Sequence, residues 1–168
     1  MAAPTIEWRK HVSTVNPTGS VITVLSLGTV TAGQYSYNKC VSVKVLNTAV
    51  SNLKIWLADS YGVVNGSPVS LGSVSKPWAF CYTAAAAVTG NAALFAARGS
   101  GTNKTLAANF RSAPANSVGA GASLGGSTNS SVAANARSNV IWLSVKPHAS
   151  AYDGEHTQFG YQVGYDFV

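Results

Sequence analysis

Apolar and polar residues alternate at every second position in the last eleven residues of the chain, QFGYQVGYDFV. In an extended strand, Phe159, Tyr161, Val163, Tyr165 and Phe167 would share one apolar face, because successive side chains point to opposite sides. A strand this aromatic attracts other chains when its edge is exposed, so it must be central, covered or used for assembly. The alternation therefore predicts a β-sheet protein. Its last strand is expected to be central in a sheet, covered by other parts of the chain, or used for assembly.

The same alternation predicts strands elsewhere in the chain. In residues 41–45, three valines would face one way and a serine and a lysine the other. Residues 52–59 repeat the pattern after a short connection, which predicts an antiparallel hairpin of the two strands. Residues 139–147 form a further strand, and a turn at Asp153-Gly154 is expected to pair it with the last strand, residues 157–168.

Three further elements follow from local signals. Strands are predicted over residues 5–15 and 20–33, and the NPTG sequence of residues 16–19 forms the turn between them. A strand is also expected in KPWAFCYTA. The alanine-rich run AAAAVTGNAALFAARG favours one or two helical turns, capped by Asn91 and closed by Gly99.

Short strands and frequent turn signals, with almost no helical periodicity, define the fold class. They predict an all-β fold, an antiparallel β-sandwich of the Ig-like or jelly-roll type. The 168 residues fit one domain, residues 1–168. Residues 99–138 are rich in Gly, Ser, Ala and Asn, and we expect them to form a long loop or arm inserted before the last two strands.

Five residues are candidates for a subunit interface. The arm has few large apolar groups to offset its backbone ordering cost of about 1–2 kcal/mol per residue. We therefore expect neighbouring subunits to cover it, with Leu106, Phe110 and Arg111 as anchors. Trp56 and Trp142 point away from the apolar faces of their strands, which indicates an interface or a platform for stacking sugars. No acidic cluster accompanies them, which favours the interface.

The charge distribution bears on the partners. Charged residues make up 10% of the chain, against about 25% in an ordinary soluble domain, and the net charge is +6. Apart from Arg9-Lys10, the bases are scattered, which argues against direct nucleic-acid binding. The N-terminal sequence lacks the apolar run of a signal peptide, and no stretch is long and apolar enough to cross a membrane. We expect a protein made in a cytoplasm, with no membrane partner.

Two groups of residues resemble chemical sites. The GASLG sequence around Ser123 matches the nucleophile motif of serine hydrolases, and Asp153 and His156 follow in the required order, but the strand and helix that hold such a serine are not predicted here. His148, Asp153, Glu155 and His156 could approach one another across a hairpin, yet their spacing is typical of a polar turn. We predict no catalytic residue, no metal site and no cofactor.

The two cysteines, Cys40 and Cys81, both lie in apolar, strand-like stretches. A disulfide between them stays open at this stage. Two small buried thiols are the more common outcome in a chain without a secretory signal.

Residues 26–60, SLGTVTAGQYSYNKCVSVKVLNTAVSNLKIWLADS, combine turn glycines with regularly spaced strands. The distinctive elements are Gly28, Ala32-Gly33, Ser36, the valines of residues 41–45, Asn47, Asn52-Leu53-Lys54 and Trp56-Leu57. This fifth of the chain resembles an Ig-like β-sandwich repeat found in virion proteins of tailed bacteriophages.

The resemblance implies a non-enzymatic virion structural protein. Its implied role is that of a capsid decoration or cement protein, a homo-oligomer that binds the major capsid protein or tail proteins. The alternatives are a tail or baseplate component and a receptor-binding, glycan-binding module. The implied location is the virion, after synthesis in the host cytoplasm.

Overall fold

A computed structural model describes residues 2–16, 18–57, 63–64, 67–68, 78–85, 88–100, 104–105, 122–123, 131–147 and 161–167. These ranges contain eleven strands and one short helix. The strands are β1 Thr5–His11, β2 Ser20–Val21, β3 Lys39–Leu46, β4 Ser51–Leu57, β5 Val63–Val64, β6 Ser67–Pro68, β7 Trp78–Ala85, β8 Lys104–Thr105, β9 Ala122–Ser123, β10 Val140–Pro147 and β11 Tyr161–Asp166. The helix, α1, is Ala93–Ala96.

Six strands form the larger sheet, in the order β2-β1-β3-β10-β7-β8, with every neighbouring pair antiparallel. The strand β10 lies inside it, with Ile141 opposite Val41 of β3 on one side and opposite Ala84 of β7 on the other. The prediction of an all-β, antiparallel fold is confirmed.

A second sheet has three antiparallel strands in the order β11-β4-β9, and β5 and β6 form a separate two-stranded ribbon. The predicted hairpin of residues 41–45 with 52–59 is therefore wrong, because β3 and β4 lie in different sheets. Asn47 and Asn52 adopt positive φ angles of 70° and 50° on the connection and at the start of β4. Asparagine tolerates this conformation better than most residues, so the chain can turn from one sheet to the other here.

The predicted pairing of the last strand with residues 139–147 is also wrong. Both edges of β10 are occupied by β3 and β7, whereas β11 pairs with β4, placing Val163 opposite Ile55. In the part of the chain that the structure describes, β11 has no second neighbour. Turn chemistry at Asp153-Gly154 predicted a local partner, but the apolar face of β11 packs on the core from the smaller sheet.

The two sheets share one hydrophobic core. The larger sheet contributes the valines of β3 together with Ile141, Leu143 and Val145, and the smaller sheet contributes Leu53 and Ile55. Val163 and Tyr165 of β11 pack against this cluster. Side chains of both sheets can belong to one cluster because each strand contributes every second side chain to it. The β-sandwich of the Ig-like or jelly-roll type stays a prediction.

Residues 131–138 connect the sheets ahead of β10. Val132 is buried and exchanges two backbone hydrogen bonds with Val50, beside β4. The chain then runs along β3, where the amide of Ser138 donates to the carbonyl of Val43. The last part of the predicted arm, residues 99–138, is therefore hydrogen-bonded beside β4 and along β3. Two short strands of the sheets, β8 and β9, also lie within residues 99–138.

Residues 88–100 contain the predicted helical turn. It is confirmed as α1, a single turn, but Asn91 is not its cap: the N-cap is Ala92, and no side chain caps the helix. Among the described residues, no helix is long and apolar enough to cross a membrane.

Candidate subunit interface

The structure rules out Trp142 as an interface residue. Its side chain is fully buried, on the face of β10 opposite the main core. Cys40, Val88 and Val140 pack around it, and the ring of Phe95 meets it edge to face with centroids 4.7 Å apart. The alternation placed Trp142 on the correct face of its strand, but residues 88–96 cover that face.

The other four predicted interface residues remain predictions. Trp56 belongs to β4, where the structure describes the backbone, with Gln162 of β11 opposite it. The predicted anchors Leu106, Phe110 and Arg111 lie outside the described residues.

The serine of the hydrolase-like motif lies in a sheet. Ser123 is part of β9 and sits opposite Lys54 of β4 in an antiparallel pair. A nucleophile elbow holds its serine on a sharp turn between a strand and a helix, whereas the backbone of Ser123 is extended and paired within β9. The polar cluster at His148, Asp153, Glu155 and His156 lies outside the described residues. Among the residues that the structure does describe, no three His, Cys, Asp or Glu side chains group to hold a metal.

Cys40 is buried as a free thiol. Burial raises the pKa of the Cys40 thiol to about 12, because the low-polarity surroundings disfavour the thiolate. The backbone places Cys81 in β7, opposite Ser144 of β10. The sequence left open a disulfide or two buried thiols. Cys40 is a buried thiol, which is unreactive at neutral pH.

A buried histidine, which the sequence did not single out, lies at the end of β1. His11 Nε2 and Ser42 Oγ share a hydrogen bond of 2.8 Å, and both residues are buried. Gly19 packs against the ring so closely that a Cβ there would be 2.9 Å from His11 Cε1. Burial lowers the pKa of His11, and the positive charges of Arg137 and Arg9 act in the same direction, against an opposing effect of the Asn16 backbone.

We expect acid to destabilise the protein through His11. Its folded-state pKa lies below the ordinary value of 6.5, so the unfolded chain takes up a proton first as the pH falls. The stability due to neutral His11 is complete above pH 6.5 and is lost progressively below it. Urea unfolding from pH 7.5 to 5 should show this loss, and His11→Gln should flatten the slope. His156→Gln is the control, and equal flattening by both variants would contradict the assignment.

Four exposed valines lie in and around β2: one in the strand itself, two in the connection from β1 and one after β2. They are Val12, Val15, Val21 and Val24, called here the valine edge, and between 56% and 88% of each is exposed. Singly scattered apolar residues are normal on a protein surface. These four, however, lie in one segment of thirteen residues, 12–24. That segment contains β2, the strand at one end of the larger sheet among the described residues. The sequence predicted the hairpin but not which valines it would leave uncovered.

A shallow cavity adjoins the valine edge. It has a volume of about 80 Å³ and is lined by Trp8, Ile22, Thr23, Val24, Leu25, Val41 and Leu143. Pockets for small ligands usually measure about 300–1,000 Å³, so this one is too small for a typical metabolite. Its apolar lining suits a single side chain from another protein.

A second surface combines two tyrosines with two cations, of which Tyr37 and Arg98 are exposed and Tyr35 and Lys146 half-buried. The Arg98 guanidinium carbon lies 4.5 Å from the centroid of the Tyr37 ring, and Lys146 Nζ lies 5.0 Å from that of Tyr35. Arg98 Nη1 also donates a 2.6 Å hydrogen bond to the carbonyl of Tyr35. We call these four residues the tyrosine–cation surface.

No protein-family model matches this chain, and no curated protein and no solved structure matches it either. The resemblance of residues 26–60 therefore stands on its own residues, several of which have clear structural roles. Gly28 and Gly33 adopt positive φ angles of 77° and 75°, which glycine adopts without strain. The hydroxyl of the buried Ser36 accepts a hydrogen bond from the amide of Val145 and donates one to the carbonyl of Tyr37.

Proposed function

We propose that this chain is a non-enzymatic structural protein of a virion, with the role of a capsid decoration protein that binds the assembled particle through contacts between subunits. The observation that carries the proposal is the valine edge, Val12, Val15, Val21 and Val24. The resemblance of residues 26–60 to bacteriophage virion repeats supplies the setting.

An exposed strand edge with apolar side chains is an established route to association. The inner side of β2 is bonded to β1, and the amide of Ile22 continues this contact by donating to the carbonyl of Trp8. A partner strand on the outer side would gain backbone hydrogen bonds and cover the valines together. The low content of charged residues, 10%, supports the same conclusion because few charges would lose water on contact.

Placing lysines on the valine edge should weaken binding to the particle. In Val21→Lys/Val24→Lys, two charges would have to be desolvated where apolar contact is expected, and we expect at least about a tenfold loss of affinity. Thr29→Lys/Gln34→Lys is the matched control, since both residues are exposed and the added charge is the same. Co-sedimentation with purified particles that lack the protein measures the binding.

Equal binding by the two double-lysine variants would remove the valine edge from the interface. Cryo-electron microscopy of purified virions tests the wider proposal. We expect density for this chain on the outer surface of the head, and its absence from the particle would refute the virion role.

A further inference from the structure

The tyrosine–cation surface is held together by its own backbone. The amide of Asn38 donates to the carbonyl of Ala97, and the amide of Gly99 donates to the carbonyl of Ser36, both at 3.0 Å. These bonds lie on either side of the bridge between Tyr37 and Arg98. The bridge therefore fixes a strand-like pair of segments from which the tyrosine and the arginine project.

The guanidinium of Arg98 is positioned in advance of any contact with a partner. The Tyr37 ring lies beneath it, and the hydrogen bond to the carbonyl of Tyr35 uses one of its nitrogens. Its remaining N–H groups stay available on an exposed side chain. A guanidinium held in this way loses little further side-chain entropy on binding a carboxylate.

The charge of this surface is uncompensated among the described residues. The acidic residues of that part of the chain are Glu7 and Asp166, and each has another partner. Glu7 forms an ion pair with Arg9 at 2.9 Å, and Asp166 accepts a hydrogen bond from Asn52. Arg98 and Lys146 thus present positive charge next to the exposed Tyr37, and tyrosine and arginine are enriched at the energetic centres of protein interfaces.

We propose that the tyrosine–cation surface binds an acidic segment of another protein, with Arg98 as the carboxylate-binding residue and Tyr37 as the adjoining contact. A protein partner suits the site better than a sugar, because Arg98 and Lys146 already lie over the rings of Tyr37 and Tyr35. This surface is separate from the valine edge, and the proposal does not depend on the virion role.

Binding of fluorescein-labelled decaglutamate to the full chain at low salt, followed by anisotropy, tests the proposal. We expect Arg98→Gln to weaken binding by about tenfold. Arg98→Lys should be intermediate, because it keeps the charge but loses the planar fork. Arg137→Gln is the matched control, an exposed arginine elsewhere, and should change the affinity less than twofold.

A second variant separates binding from folding. Arg98 donates a hydrogen bond to the backbone carbonyl of Tyr35, so that its loss affects the backbone of that segment. Lys146 instead contacts the side chain of Tyr35, with its ammonium over the ring. Lys146→Gln should therefore also weaken decaglutamate binding, at an unchanged melting temperature. Equal losses from Arg98→Gln and Arg137→Gln would overturn the proposal, as would failure of decaglutamate to bind.

Three competing occupants give different results. Tighter binding of oligo-dT or of a heparin oligosaccharide than of decaglutamate would overturn the proposal in favour of a nucleic acid or an anionic glycan. The chain's own Asp153 and Glu155 follow Lys146 closely in sequence. If Asp153→Asn/Glu155→Gln strengthened decaglutamate binding severalfold, the occupant would be this segment rather than another protein. No change in that variant supports the proposal.

Discussion

Replacing Trp142 with alanine is expected to destabilise the protein by about 3–5 kcal/mol, the usual cost of removing a large buried aromatic side chain. Trp142 is fully buried and fills the space between β10 and residues 88–96. The substitution would leave a cavity, remove the edge-to-face contact with Phe95 and uncover Val88. Chemical denaturation of the purified protein measures the loss.

Trp142→Phe is the matched variant and should cost much less. It keeps an aromatic ring in the site and removes the indole Nε1, which has no hydrogen-bond partner among the described residues. If Trp142 were instead an interface residue, alanine would leave the stability of the isolated subunit unchanged and would weaken only its association. That result would contradict the packing described above.

Adding a single methyl group at Gly99 is expected to destabilise the fold by about 1–3 kcal/mol through overpacking. A Cβ at this position would overlap Ser144 Oγ and would lie 2.7 Å from Ser144 Cβ and 3.1 Å from the Tyr35 ring. The backbone there is also fixed, because the Gly99 amide donates to the carbonyl of Ser36. The methyl group can therefore be accommodated only by moving β10 or the tyrosine–cation surface.

A double-variant cycle isolates this contact. Ser144→Gly removes both atoms that a Cβ at Gly99 would meet, so Gly99→Ala should cost less in the Ser144→Gly background than in the native chain. The coupling is measured from denaturant unfolding of the four proteins. Additive effects would show that the close approach of Gly99 to β10 is not the source of the destabilisation.

The sequence determined the strands whose signal is local. The alternating valines of residues 41–45 and the apolar run of residues 139–147 correspond to β3 and β10, and the NPTG turn joins β1 to β2. Alternation suffices for these elements because the period of two is a property of the extended backbone, independent of what lies beside it. For the same reason, the sequence assigned Trp142 to the correct face of its strand.

The tertiary structure alone decided which strands pair and what covers each face. Local turn signals favoured pairing β3 with β4 and β10 with β11. The chain instead crosses between two sheets, and apolar side chains of both belong to one core. Burial of Trp142 depends on residues 88–96, about 50 positions earlier in the chain. The valine edge and the tyrosine–cation surface likewise arise from contacts between residues distant in sequence. Periodicity cannot predict such contacts, because it indicates which face of a strand a side chain occupies and not what packs against that face.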